Sequence, residues 1–169
     1  MKVAPLSVVT LEYTVTDEHG DAAPRLNDVD FTPEAARRHH ATLLREVVRM
    51  LCAGVVHGDL SEFNVLLGPD GPVIIDLPQA VDAAGNNHAF SMLERDVGNM
   101  ASYFGRFAPE LKQTRYAKEM WALYEAGTLH PNSVLTGEFD DPQDLADVGG
   151  VLREIEAARR DEERKQAAR

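Results

Sequence analysis

Apolar positions recur at three- and four-residue spacing through Leu43, Leu44, Val47, Val48 and Leu51, a period that predicts an amphipathic helix. Thr32-Pro33-Glu34 marks its start: Thr32 can cap, Pro33 suits the first turn, and Glu34 favours the positive end of the helix dipole. Gly54 is placed to end it. Val65-Leu66-Leu67 and Val73-Ile74-Ile75 are short apolar runs around Gly68-Pro69-Asp70-Gly71, which predicts a hairpin. Upstream, residues 7–16 are β-branched and aromatic and read as a strand or strand pair, and residues 17–30, with Gly20, Pro24 and Asn27, read as a loop. Ser91-Met92-Leu93-Glu94 has the form of a capping box opening a second helix through about Phe104. A third helix is expected from Pro109 to about Ala126, with Tyr116, Met120, Trp121, Leu123 and Tyr124 as core residues. Asp141-Pro142 is expected to start another helical region. It ends in a run of both charge signs over residues 153–169 that reads as a solvated helix, with partner docking as the other reading.

Composition narrows the class. The chain has 169 residues, 44% apolar and 27% charged, the balance of one globular domain able to bury a core. A net charge of -11 argues against direct non-specific binding of nucleic acid, whose phosphates it would repel. A single cysteine, Cys52, can form no internal disulfide and builds no zinc site alone, so the cytoplasm is the expected compartment, and Cys52 reads as apolar core. No apolar run approaches the length of a membrane span, and no signal peptide is visible. His39 and His40 lie beside Arg37 and Arg38 and read as a solvated face.

The candidate chemistry lies in His57-Gly58-Asp59-Leu60-Ser61-Glu62-Phe63-Asn64 and Ile74-Ile75-Asp76. If the hairpin pairs Leu67 with Val73, then Asn64 faces Asp76. Directly opposed residues share a face at about 4.5–5.5 Å between Cα atoms. An amide oxygen and a carboxylate aimed at one point suit a hard cation such as Mg²⁺. A slip of one residue would separate them. Asp59 precedes Asn64 by five residues, where a carboxylate can accept a proton from an attacking hydroxyl or orient it in line with a phosphate. His57 reads as a group that holds the loop by hydrogen bonds, and Asp96 either buttresses that loop or is solvated.

These residues resemble two kinase-like patterns. Small-molecule phosphotransferases of the aminoglycoside and choline kinase type carry a similar H-G-D…N followed by I-D. The pattern H-x-D-L-S-E-[YF]-N, then I-I-D with a Gln three residues on, is that of RIO kinases, and Leu60-Ser61-Glu62-Phe63-Asn64, Ile74-Ile75-Asp76 and Gln79 are similar to it at nearly every position. Ala23-Pro24-Arg25-Leu26 and Glu94-Arg95-Asp96 look like RIO segments flanking the catalytic loop, and Leu11-Glu12-Tyr13-Thr14 looks like the hinge that offers backbone groups to adenine. The likeness covers about residues 6–126 and looks closest to the bacterial branch. It implies Asp59 as the catalytic aspartate, Asn64 and Asp76 as ligands of Mg²⁺ (or Mn²⁺), and ATP contacts near Glu12 and Thr14. It also implies Ser/Thr phosphorylation of a protein substrate or ATP hydrolysis.

The fold expected from this likeness is α+β, predominantly helical, like the C-terminal lobe of protein kinases, over residues 1–150. Within it lie a hinge at 8–16, a catalytic loop at 57–64 and a metal strand at 73–76, followed by a charged tail at 151–169. Ala108-Pro109-Glu110 spells the end of a kinase activation loop, but it more simply begins the third helix. Nothing before Glu12 supplies a Gly-rich loop or strand lysine, so the expectation is a C-lobe with weak nucleotide binding, little turnover, and self-association through an exposed inter-lobe face. A non-catalytic binding module is the reading from another class.

Overall fold

The computed structural model describes residue 16 and residues 19–140 of the chain. The expected strand over residues 7–16 (Thr16 apart), the hinge residues Glu12 and Thr14, and the tail beyond Asp140 lie outside the described residues. Helix α1 (Pro33–Cys52) starts as its sequence dictates: the Ala35 N–H donates to Thr32 Oγ1 at 3.2 Å. Such a cap contributes about 1 kcal/mol. Gly54, at φ 78°, turns the chain out of the helix. Strand β1 (Val55–Val56) follows, then β2 (Val65–Gly68), β3 (Gly71–Ile74) and β4 (Val81–Asp82). Helices α2 (Ala89–Phe104) and α3 (Tyr116–Glu125) complete the described order.

The strands form two small antiparallel pairs, β1 with β4 and β2 with β3. Both lie against a helical core in which α1 buries Leu43, Val48 and Leu51 against Leu93, Met100 and Phe104 of α2 and Met120 of α3. Each such side chain stabilises the fold by roughly 1.5–3 kcal/mol. The architecture is α+β, as expected. Short 3-10 segments fill the connections at Leu26–Asp28, Leu77–Gln79 and Pro109–Gln113. Tyr103 of α2 donates its hydroxyl to the carbonyl of Leu26, fixing the Leu26–Asp28 turn against the core. Among the described residues no helix is long and apolar enough to cross a membrane.

Four sequence expectations are corrected. The hairpin register is Val65↔Ile74, Leu66↔Val73 and Gly68↔Gly71, one residue away from the expected pairing, because both glycines join the ladder and only Pro69 and Asp70 form the turn. Helix α2 begins before the supposed capping box. His88 is its N-cap, the turn is set by Asn86 Oδ1 accepting the His88 N–H at 2.8 Å, and Ser91 lies inside the helix, donating to the His88 carbonyl. The third helix is two pieces, since Thr114 and Arg115 leave helical geometry and the Arg115 N–H is taken by the Gly137 carbonyl at 2.7 Å. Finally, His40 is not on a solvated face. It is 2% exposed, packed edge-on to Phe104 and tilted against Tyr116. His39, half-buried, packs on Phe31.

Candidate functional site

The loop between β1 and β2 carries the candidate catalytic residues, and helix α2 holds it. Asp96, 1% exposed, accepts the Gly58 N–H at 2.7 Å and the Leu60 N–H at 3.0 Å, one on each carboxylate oxygen. One turn along the same face, Asn99 donates to the Leu60 carbonyl at 3.0 Å, and Arg95 donates to the Gly58 carbonyl. The residues either side of Asp59 are thus tied at both N–H and C=O, while the Asp59 side chain between them is exposed. Burial pushes the Asp96 pKa up, against the opposing pull of the Gly58 and Leu60 N–H groups and of the charges of His57 and Arg95. Buttressing, not solvation, is therefore the role the structure gives Asp96.

Gly58 has φ 83°, and a Cβ there would stand 2.9 Å from the Gln79 carbonyl oxygen. Close approach and left-handed backbone together explain a glycine before the aspartate. His57 behaves as a brace. Its Nδ1 accepts the Asp59 N–H at 3.2 Å, so the other ring nitrogen carries the proton and donates to the Ile75 carbonyl at 2.9 Å.

Asn64 closes the loop from its far end. Its Nδ2 donates to the Asp59 carbonyl at 2.7 Å and approaches Asp59 Oδ2 at 3.5 Å, which brings Asp59 and Asn64 together and leaves Asn64 Oδ1 turned elsewhere. Asp76 is not paired with Asn64 as the hairpin argument expected. In the observed register Asn64 stands beside Ile75, whose N–H donates to the Asn64 carbonyl at 2.9 Å. The slip removes the simple cross-strand pairing of Asn64 with Asp76. Instead the chain leaves strand geometry at Asp76, which adopts φ 66°, ψ 62°, alone among the described non-glycine residues in having positive φ. Holding an L-residue there costs about 1–2 kcal/mol. Ile75, just before it, is fixed by His57 on its carbonyl and by Asn64 on its N–H. Asp76, which is exposed, therefore follows a residue anchored by His57 and Asn64 at the two ends of the candidate loop.

The segment before α1 braces the other side. Arg25 donates to the Phe63 carbonyl at 3.1 Å and pairs with Leu66, and the Leu67 N–H donates to the Pro24 carbonyl at 2.8 Å. Sequence reasoning had singled out residues 23–26 and 94–96 but missed Asn99. Its spacing of three from Asp96 puts it on the same helix face, a signal that was available. Among the described residues no group of three or more His, Cys, Asp or Glu is gathered as a metal cluster. The candidate residues Asp59, Asn64 and Asp76 offer oxygen donors only. That set is the chemistry of a hard cation that also takes phosphate and water, not of zinc or copper.

The chain is similar to known proteins. Residues 6–118 match the RIO domain family. The chain is 39% identical over 95 residues to serine/threonine-protein kinase RIO3 of Caenorhabditis elegans, covering 53% of this chain and 18% of that protein. It is 44% identical over 66 residues to RIO-type serine/threonine-protein kinase Rio2 of Methanocaldococcus jannaschii, covering 38% and 24%. Against RIO-type serine/threonine-protein kinase Rio1 of Haloferax volcanii it is 42% identical over 88 residues, covering 51% and 29%. The matched segment thus spans less than a third of each of these relatives. With the match running through the clamped loop and the Asp76 turn, the chain belongs to the RIO domain family.

Proposed function

We infer that the chain is the catalytic, predominantly helical C-terminal lobe of a RIO-type serine/threonine kinase, or of an ATPase built on the same site. The observation that carries this reading is Asp59: an exposed carboxylate on a loop whose backbone is tied on both sides by Asp96, Asn99 and Arg95. Phosphoryl transfer needs little covalent chemistry from the protein and much positioning. Asp59 accepts the proton of a serine, threonine or water hydroxyl as that oxygen bonds to the γ-phosphorus of ATP; the bond from that phosphorus to the β-γ bridging oxygen breaks, and ADP leaves. Asn64 and Asp76 are the residues that would hold Mg²⁺ (or Mn²⁺), which when bound offsets phosphate charge. His57 keeps the loop and the Asp76 turn in register.

Glu12 and Thr14 complete the proposal as the adenine contacts, within a lobe over residues 1–150 and a charged tail over 151–169. The reading places the protein in the cytoplasm, in the bacterial branch of the family. It includes self-association through the apolar face where exposed Val73 and Leu77 join Met50 and Val55 around a cavity of about 480 Å³.

Thermal melts with and without ATP and Mg²⁺ test the site. A ligand that binds only the folded state raises stability by mass action. The expected result is a metal-dependent rise in Tm that disappears in Asp76→Ala and persists in Asp59→Asn, which retains the binding groups but loses the proton acceptor. A rise unchanged in Asp76→Ala would remove Asp76 from the metal site.

A further inference from the structure

On the surface of α1, two arginines lack, among the described residues, the carboxylate partners that their neighbours have. Arg37 pairs with Glu110 at 2.5 Å, and Arg49 pairs with Glu46 at 2.8 Å. Arg38 and Arg45 have no carboxylate within ion-pair reach among the described residues. Both line one groove of about 550 Å³ between α1 and residues 131–135. The groove is also lined by Thr42, whose hydroxyl accepts from Arg45 at 3.2 Å, and by the apolar side chains of Tyr116, Leu135 and Val134, the last 90% exposed.

The groove is preformed. The Glu119 carboxylate takes the N–H groups of Thr136 and Gly137 at 2.8 Å each, and the Ser133 side chain accepts the His130 N–H at 2.9 Å, so the outer wall is fixed against α3. Two guanidiniums with no carboxylate partner among the described residues line this groove together with apolar side chains, on a protein of net charge -11. The net negative charge of the protein opposes a long polyphosphate, whereas a short peptide carrying a few carboxylates would be held locally by the two arginines. The arginines are seven residues apart on a helix, roughly 10 Å at 1.5 Å per residue. An extended peptide covers that span in about three residues at 3.3 Å each.

We propose that this groove docks an extended acidic segment of a partner protein, with carboxylates about three residues apart on Arg38 and Arg45 and an apolar side chain between them on Val134 and Tyr116. The surface is separate from the catalytic loop, so the proposal stands or falls independently of phosphoryl transfer, and its test needs no ATP.

The probe is a fluorescein-labelled peptide with aspartate at every third residue and leucine between, titrated with the full chain by anisotropy at low salt. The expected result is saturable binding, weakened at least about tenfold by Arg38→Glu or Arg45→Glu and lost for the asparagine version of the peptide. Arg38→Lys should keep part of it, and Arg49→Glu, outside the groove, should keep all. Melting curves of each variant confirm that the fold persists. Equal affinity in the charge-reversed variants, or equal binding of the neutral peptide, would overturn the proposal. So would tighter binding of a single-stranded oligonucleotide lost in the same variants, which would assign the groove to nucleic acid. A concentration-dependent dimer abolished by those variants in sedimentation would assign it to a second copy, and would overturn it too.

Discussion

Two buried polar side chains, one on each side of the core, show opposite solutions to the same problem. At the junction of α2 with the loop after β1, Asp96 is 1% exposed and each of its oxygens accepts a backbone N–H. At the junction of α1 with α3, His40 is 2% exposed, and its Nε2 has no partner among the described residues. Both groups give up water, but only one recovers hydrogen bonds for it. The difference separates a group that positions other atoms from one that fills space. Asp96 specifies where Gly58 and Leu60 sit, whereas His40 serves as an aromatic plate between Phe104 and Tyr116.

Asp96→Ala breaks the comparison most directly. It strands two buried N–H groups, so a loss of about 3 kcal/mol or more in denaturant unfolding is expected, together with loss of any Mg-ATP response. Retention of both would show that Arg95 and Asn99 suffice to hold the loop.

His40 gives the next effect, and it depends on pH. Burial lowers its pKa from 6.5 to about 4, and the rings facing it, Phe104 and Tyr116, offer no compensating charge. Between those values the unfolded chain binds a proton that the folded chain does not, so stability is full above pH 6.5 and is lost as pH falls toward 4. At 1.36 kcal/mol per unit this amounts to roughly 3 kcal/mol. His40→Leu should flatten that part of the profile, leaving the carboxylates to govern what remains. An unchanged acid slope in the variant would show that His40 is protonated inside the fold.

Asp76→Gly is the smallest of the three. It relieves a left-handed non-glycine residue and should raise stability by about 1 kcal/mol while removing the metal-dependent shift in Tm. Stability gained as the ligand response is lost would mark Asp76 as held in strain for its carboxylate.

What could be read from the sequence follows the range of the interaction that decides it. The Thr32 cap and the Gly54 stop are local, and both stand where the sequence puts them. The hairpin was legible, but its register turned on whether two glycines lie in the turn or in the ladder, and residue type does not settle that. His40 looked solvated because charged residues precede it, yet it falls on the stripe of Ala36, Leu43, Leu44 and Val47, and helical period outweighed the polarity of its neighbours. The residues of the 57–64 loop stood out by their spacing and by their likeness to the RIO pattern, but the geometry that makes Asp59 a defined group is supplied by α2, and no local rule connects the two.

That connection also has a temporal side. The clamp on the loop joins residues 38 and 36 positions apart, and the Tyr103 tie to Leu26 joins residues 77 apart. Closing such stretches costs chain entropy that only the assembled core offsets. A newly made chain in which α2 has not yet docked has no anchor for Gly58 or Leu60. The order of folding thereby withholds a formed Gly58–Leu60 loop until the domain around it is complete.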